Sequence, residues 1–348
     1  MSDLSSPELQ LHPAGSRATG TATRTADVEP AVPSTAEALV WLGGDRFEPR
    51  SLPIPPLAPG ETLVRLTTAT VCGSDRHTVA GHRPAPSPSV LGHEGIGVIA
   101  ATTADRTVGQ RIVFAVTAVC GDCRNCRRGL SAKCVSVAKV GHESTETGWA
   151  LSGTYASHIV LPAGVAIAPV PDSVPDAVAA TAGCAVATVM AMIEAAGDLS
   201  SRRVFVNGIG MLGLIAIAAA KSRGAAEVIG FDPAPERRRL AEATGAEAGV
   251  RACLDAIGIG GTTVLAGSVS SGPHVALDPE HIVRGWRTIT GVHNYEPRHL
   301  RQAVDFLAGD GAAMPWDDIL GGPIRPADLP DEFAHPTPGL RTVVDLDG

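Results

Sequence analysis

The sequence predicts an α/β protein in two parts, a β-rich first half and a second half built on a parallel βαβ unit. Three observations carry this. Short strand-like alternations broken by Gly and Pro run to about Val170, an Ala-rich helical texture sets in near Asp176, and a strand–Gly turn–helix–strand run begins at Val204. The 348 residues are enough for two cores or one large α/β domain. Apolar residues at 44% and charged residues at 18% lie in the ordinary globular range. Lys+Arg at 28 against Asp+Glu at 36 gives a net charge of −8, which argues against a nucleic-acid partner, since phosphate-backbone binding needs a basic face.

Residues 1–34 are rich in Ser, Thr, Ala, Gly and Pro without helical or strand period, and read as a disordered tail. Alternation starts at Ala38-Leu39-Val40-Trp41, returns at Thr62–Leu66 after a Pro-rich turn, and continues through Val113 and from Tyr155 to Val170. A helical stretch over 176–196 precedes strand Val204–Val206, a helix from Met211 to about Ser222 and strand Val228–Phe231, so the boundary falls near 175–185. The longest uncharged run, Ala177 to Ile193, is too short and too small in its side chains for a bilayer span, and the N-terminus has no apolar signal core. The expectation is a cytoplasmic chain with no membrane partner. Its basic residues are almost all Arg, with Lys only at 133, 139 and 221, and they form no patch along the sequence.

Seven cysteines are present, four of them within fifteen residues as Cys120-x-x-Cys123-x-x-Cys126-x7-Cys134. An odd total in an unsecreted chain points to metal rather than disulfides. Four closely spaced thiolates can close a tetrahedral Zn²⁺ site with no position left for substrate, hence a structural zinc; the competing reading is a chance cluster of buried cysteines. A second, dispersed set is Cys72-Gly73-Ser74-Asp75 with Gly92-His93-Glu94-Gly95, to which Cys184 can add a third ligand. Three ligands with an open position is the layout of catalytic zinc, although a lone Cys or His is more often a core residue. Third, Val204-Phe205-Val206-Asn207-Gly208-Ile209-Gly210-Met211-Leu212-Gly213 places a GxGxxG between strand and helix, with Asp232 about 20 residues on. Such glycines let a pyrophosphate reach the helix N-terminus, and the carboxylate can hold ribose hydroxyls. A plain helix-packing motif is the alternative.

Together and in this order, the three features resemble the zinc-dependent medium-chain alcohol and polyol dehydrogenases, from about Ala36 to the C-terminus. The stretches Lys139-Val140-Gly141-His142-Glu143, Gly183-Cys184-Ala185-Val186-Ala187-Thr188 and Val292-His293-Asn294-Tyr295-Glu296-Pro297 are similar to a subgroup described as phosphonate-metabolism-associated. The resemblance implies a GroES-like catalytic domain over 35–180, completed by 312–348, and a Rossmann-type cofactor domain over 181–311, with the active site between them. It implies that Cys72, His93 and Cys184 ligate catalytic zinc, with Glu94 as exchangeable or neighbouring ligand and Asp75 fixing the His93 tautomer. By the same resemblance Ser74 takes the substrate proton and passes it through the cofactor ribose to His77. Thr188 faces the nicotinamide, the loop Gly208, Gly210, Met211, Leu212, Gly213 holds the pyrophosphate with Arg341, and Asp232, with Arg237 nearby, selects NAD(H) over NADP(H). A small alcohol or carbonyl substrate and a homodimer or homotetramer are implied as well. Cys253 and the second Gly-His-Glu at 141–143 match no ligand position and read as packing or loop residues.

One departure stands out. A dinucleotide domain of this type has six strands, whereas Val204–Val206, Val228–Phe231, Thr262–Ala266 and Thr288–Gly291 make four, with 244–247 as the entry to a further strand and Val250–Ala256 as a helix. About 40 residues, close to one βαβ unit, are missing on this count. The expectation is a shortened sheet with Thr262–Ala266 moved beside Val204–Val206. The leading function is NAD(H)-dependent interconversion of a small polar alcohol and its carbonyl. The alternative is a catalytically weakened relative that keeps zinc and serves as a binding or scaffold protein. A zinc-free quinone reductase is disfavoured by the presence of Cys72, His93 and Cys184.

Overall fold

The protein is described by a computed structural model covering residues 32–243, 247–248, 257–266 and 277–347. Residues 1–31 of the expected tail over 1–34, the helix at Val250–Ala256 and Cys253 lie outside the described residues. The fold below belongs to a unit running from Pro33 onward.

The first part is a curled sheet of eight strands centred on Thr62–Val71, which is buried along its whole length except Arg65. At ten residues it serves two partners along one edge, His158–Leu161 beside Thr62–Arg65 and Arg341–Asp345 beside Thr68–Val71, while Gly95–Thr102 lies along the other. Register shifts at Leu63/Val64 and Leu66/Thr68 bend it, as bulges do. The sheet continues through Arg111–Ala118, which pairs with Ala138–Lys139 and Val165–Pro169, and Leu320–Ile324 pairs parallel to Arg341–Asp345. A separate sheet joins Thr35–Trp41 to Phe47–Pro53 and Ser89–Val90. Two strands absent from the sequence reading, Phe47–Pro53 and Leu320–Ile324, carry Pro or Gly and little alternation.

The second part is held by helix Ala185–Ala196. Its Ala-rich faces let it pack against helices Met211–Ser222 and Pro297–Ala308 and against strands Thr262–Ala266 and Thr288–Val292. Seven of its residues are buried, so packing rather than propensity fixes it. At its far end Glu194 pairs with Arg298 and lies 3.1 Å from His299. Contact with Arg298 holds the Glu194 carboxyl down at about 2.

Five short parallel strands occur here among the described residues, in two sheets. Arg203–Asn207 pairs with Glu227–Phe231, which pairs with the two-residue strand Glu247–Ala248; separately, Thr262–Ala266 pairs with Thr288–Val292. The expected placement of Thr262–Ala266 beside Val204–Val206 is therefore corrected. Thr262–Ala266 takes as partner the strand that follows it through helix Pro279–Arg284, and both lie against helix Ala185–Ala196, which fixes them away from the first strand. Arg203–Asn207 is left with one ladder among the described residues, and its Val204, Phe205 and Val206 are only half-buried.

A strand with one ladder and half-buried side chains opens before one paired on both edges. Amide hydrogen exchange of the full chain is expected to be faster at 203–207 and 262–266 than at 62–71. Uniform protection across the three segments would contradict this reading of the sheets.

Candidate metal and cofactor site

Strand Thr62–Val71 delivers Cys72 to the start of the short helix Gly73–Val79, where Asp75 is the third helical residue. The Asp75 carboxylate reaches back to accept the Cys72 N–H at 3.0 Å, as a capping carboxylate does. The same oxygen accepts the Tyr155 hydroxyl at 3.1 Å, and the other faces His93 Nδ1 at 3.1 Å. Asp75 is 2% exposed, so these partners replace its lost hydration. Holding the proton on Nδ1 turns the Nε2 lone pair of His93 toward Cys72 and Cys184.

The ligand atoms of Cys72, His93 and Cys184 lie within 4.8 Å of one another. Cys184 arrives from the other half of the chain, at the N-terminus of helix Ala185–Ala196. The Cys184 thiol holds the Cys72 thiol well below its usual range, against the cost of burial and with help from Arg341, while Cys184 itself is pushed up. Burial favours neutral His93, but the charges of Asp75 and Cys72 outweigh it and raise the imidazole.

Glu94 follows His93 and is fully buried. Its oxygens accept from Thr70 Oγ1 at 2.5 Å, Ala185 N at 3.2 Å and Arg341 Nε at 3.0 Å. Burial raises its carboxyl and Arg341 opposes this. Arg341, expected at the cofactor pyrophosphate, is buried here with its guanidinium on Glu94 and 3.4 Å from Cys72 Sγ. Ser74 Oγ lies 3.2 Å from His93 Nε2. His77 is exposed, its ring 5.8 Å from that of His82.

The four-cysteine loop folds as its spacing requires. Ligand atoms of Cys120, Cys123, Cys126 and Cys134 fall within 4.8 Å, with Cys123–Cys126 and Cys134–Cys120 sulfurs at 3.5 Å. A tetrahedral zinc with sulfur at about 2.3 Å sets neighbouring sulfurs about 3.8 Å apart. Backbone N–H groups of Cys120, Cys123 and Cys126 point at sulfurs of the set. That donor field from Cys126 and Val135 lowers Cys123 to about 6, and burial with Cys123 beside it pushes Cys126 up to about 12. Both donor sets fit zinc in ligand type and in reach: one would offer four sulfurs, and the other would offer three ligands with Ser74 beside them.

The glycine loop meets steric demand at two positions. Gly208 has φ +90° and donates its N–H to Phe231 O at 2.7 Å; a Cβ on Gly213 would lie 1.9 Å from Gly208 O. Gly210 precedes helix Met211–Ser222 with open space at its Cβ position, and Leu212 is half-buried. Asp232 is 2% exposed; its oxygens accept from Ile209 N at 2.8 Å and Ala234 N at 2.9 Å, with Arg237 at 3.5 Å. It therefore ties the loop to the second strand. Thr188 lies half-buried in the first turn of helix Ala185–Ala196, bonded to Cys184 O.

Residues the sequence reading left without a role also belong to this region. Gly141, at φ +71°, packs onto Gly92, and His142 comes to 5.6 Å, ring to ring, from His93. Burial, with His93 and Arg83 nearby, lowers His142 to about 4. Tyr155 and Tyr295 are the only tyrosines in the chain, and both are buried. Tyr295 donates to Gly183 O and accepts from Val116 N at 3.3 Å, fastening the residue before Cys184. Glu296 accepts from Ser131 N, Ser131 Oγ and Ala132 N at 3.0, 2.5 and 3.1 Å.

Residues 58–172 match the alcohol dehydrogenase GroES-like domain. The chain is 30% identical over 226 residues to L-threonine 3-dehydrogenase of Mesorhizobium japonicum and 33% identical over 222 residues to 5-exo-hydroxycamphor dehydrogenase of Pseudomonas putida. Residues 58–172 thus hold a GroES-like domain of the alcohol dehydrogenase type, and the chain is similar to zinc-type medium-chain alcohol dehydrogenases. The matches span 62% and 61% of this chain and 60% of each relative. Its fold is that of a Thermotoga maritima alcohol dehydrogenase (TM-score 0.80, 22% identity, 89% of this chain and 99% of that one). It is also that of a candidate zinc-binding dehydrogenase of Sinorhizobium meliloti bound to NADP (TM-score 0.78, 24% identity, 90% and 100%). An Escherichia coli alcohol dehydrogenase complexed with NADH also shares it (TM-score 0.77, 20% identity, 90% and 100%). No helix among the described residues is long and apolar enough to cross a membrane.

Gly213→Ala drives a methyl into the Gly208 carbonyl, and overpacking of this kind costs about 1–3 kcal/mol. A lowered Tm together with weakened dinucleotide binding is expected. Unchanged melting would mean that loop and helix are not in close contact.

Proposed function

We propose that this chain is a zinc- and NAD(H)-dependent oxidoreductase interconverting a small polar alcohol, of polyol, cyclitol or phosphonate type, and its aldehyde or ketone. The observation that carries the reading is the convergence of Cys72, His93 and Cys184 from both halves of the chain, with Ser74 Oγ 3.2 Å from His93 Nε2. When bound, zinc supplies Lewis-acid polarisation of the substrate oxygen and the nicotinamide supplies a hydride acceptor. The chain's own groups do the rest. Asp75 holds His93 in the tautomer that ligates through Nε2, and Ser74 is placed to take the hydroxyl proton and pass it outward toward exposed His77. Thr188 lies in the first turn of the helix that Cys184 begins, and on this reading it faces the nicotinamide. The same family reading gives a homodimer or homotetramer, which sedimentation would read.

The half-buried, one-ladder strand Arg203–Asn207 favours a second reading, a weakened relative acting as a binding or scaffold protein. NADH titration separates the two. Fluorescence enhancement at micromolar NADH with turnover of an alcohol supports the enzyme, and absence of both supports the scaffold.

Metal analysis is expected to find two zinc ions per chain, matching the two donor sets. Cys123→Ser should lower Tm, because a structural zinc's binding energy is folding energy. Cys184→Ser should instead lower turnover by at least about 100-fold, the upper end of what even an outer-shell loss costs a metal site. One zinc or none would overturn the two-site reading.

NAD(H) is the preferred cofactor on this reading, because a 2′-phosphate would approach the Asp232 carboxylate, which Arg237 offsets only from 3.5 Å. Asp232→Ala should narrow the NAD/NADP ratio by about tenfold, the equivalent of about 1.4 kcal/mol. Equal or better efficiency with NADPH in the unaltered protein would contradict the preference.

A further inference from the structure

Cys184 stands at a junction. The turn Ala180–Gly183 ends on it and helix Ala185–Ala196 begins after it, and its φ of −132° and ψ of −70° belong to neither. Its place is therefore set by what holds its two neighbours. On one side Ala185 donates its N–H to Glu94, within the metal site itself. On the other, the Gly183 carbonyl takes the hydroxyl of Tyr295, a buried residue from the segment after strand Thr288–Val292. Gly183 is pressed against the sheet: a Cβ there would lie 2.5 Å from Phe114 O.

Tyr295 is followed by Glu296, which is committed to the four-cysteine loop. Its carboxylate oxygens accept from Ser131 N, Ser131 Oγ and Ala132 N. At the exposed edge of the same contact, Lys133 Nζ lies 2.7 Å from His293 Nδ1. Turn Ser131–Lys133 lies between Cys126 and Cys134, and Cys134 donates its N–H to Ser131 O at 2.9 Å. None of residues 120–130 is buried, so no apolar core holds the loop in shape. Four sulfurs drawn onto one cation do hold it, because metal-binding energy at such a site is folding energy. The direction of the Ser131 and Ala132 N–H groups thus depends on loop closure, and Glu296 follows it. Tyr295 and Glu296 do not move independently of what comes after them. Glu296 donates its N–H to His299 Nδ1 at 2.9 Å, and helix Pro297–Ala308 buries Leu300, Ala303, Val304 and Leu307.

We infer that Tyr295 and Glu296 form a mechanical link by which closure of the four-cysteine loop seats Cys184, so that metal in the loop raises the affinity of Cys72, His93 and Cys184 for a cation. Both are positioning residues, acting through Gly183 and never on the substrate. The inference rests on the proposed reading only in that the three-ligand set binds a cation; it does not depend on alcohol chemistry. Coupling of this kind is reciprocal, so a cation on the three ligands also tightens the loop.

The test uses the full zinc-loaded chain with Co²⁺ exchanged into both sites by dialysis. Four-sulfur ligation and two-sulfur, one-nitrogen ligation give different visible spectra, so chelator competition reads each site separately. Tyr295→Phe removes only the hydroxyl, and Glu296→Gln keeps one of two acceptor oxygens. Each should weaken Co²⁺ at the three-ligand site by at least about fivefold, the lower end of coupling between sites, while the four-sulfur spectrum keeps its shape. The double variant should weaken it no more than the stronger single variant, since both cut one link in series. Arg298→Gln frees the same helix from Glu194 and serves as the control for general loosening. It should lower Tm and change neither Co²⁺ affinity. Cys123→Ser should weaken the three-ligand site in the unaltered background, and by less than about twofold on top of Tyr295→Phe. If Cys123→Ser does not fold, the cycle of Tyr295 and Glu296 decides alone. Additive losses in that cycle, or an equal loss in Arg298→Gln, would overturn the link. A chain that binds Co²⁺ at the four sulfurs alone would overturn the link and the proposed metal centre together. Two bound ions with no sensitivity to Tyr295 or Glu296 would overturn the link and leave the metal centre standing.

Discussion

The Asp75 carboxylate is the constraint on which the metal site depends. One buried side chain accepts from the Cys72 backbone, the His93 ring and the Tyr155 hydroxyl, and so ties together the helix start after Val71, the loop after Val90 and the segment before His158. Without it, Cys72 and His93 would sit on separate elements whose relative position depends on loop packing alone. The His93 ring would also be free to exchange tautomers, and a ligand nitrogen whose proton position is undefined binds a cation poorly. Glu94 does comparable work one residue on. It joins Thr70, the first residue of helix Ala185–Ala196 and the C-terminal strand through Arg341, so Cys184 is held by the same network that holds Cys72.

That network explains which parts of the site were legible in the sequence. The four-cysteine loop could be read outright, because all its ligands lie within fifteen residues and local turns suffice to bring them together. The glycine loop was legible for a similar reason: strand, turn and helix are contiguous, and the close approach of Gly213 to Gly208 spans five residues. Cys72, His93 and Cys184 are separated by 21 and 91 positions, and only resemblance to a family linked them. Thr70, Tyr155, Tyr295 and Glu296 were missed as partners, since a hydroxyl or carboxylate that acts across the fold leaves no periodic trace. Their one signal was scarcity: with only two tyrosines in 348 residues, both buried at the site, each was worth a question.

The strand arrangement was less legible. The sequence identifies the short apolar runs, but pairing follows from what each strand packs against. Helix Ala185–Ala196 lies on Thr262–Ala266 and Thr288–Val292, while helix Met211–Ser222 lies on Arg203–Asn207 and Glu227–Phe231. Each pair of strands is therefore committed to its own helix, and bringing Thr262–Ala266 beside Arg203–Asn207 would give up its contact with Ala185–Ala196. Asp232 belongs to the same lesson. Its position about 20 residues past the glycine loop suggests a ribose acceptor, and the fold gives the same buried carboxylate a second task the spacing does not show, accepting from Ile209 and Ala234 to brace the loop.

Three fastenings around the metal-ligand turn then follow a common rule. Tyr295 on Gly183, Glu296 on Ser131 and Ala132, and Arg298 on Glu194 all come from the four residues that end the last parallel strand's loop and begin helix Pro297–Ala308. Each fastens a different neighbour: the turn before Cys184, the four-cysteine loop and the far end of helix Ala185–Ala196. Two are directional and buried or half-buried, so they resist sliding in a way that apolar contact alone does not. The segment that carries His293 is therefore held rigidly against both the metal-ligand turn and the loop that carries Lys133.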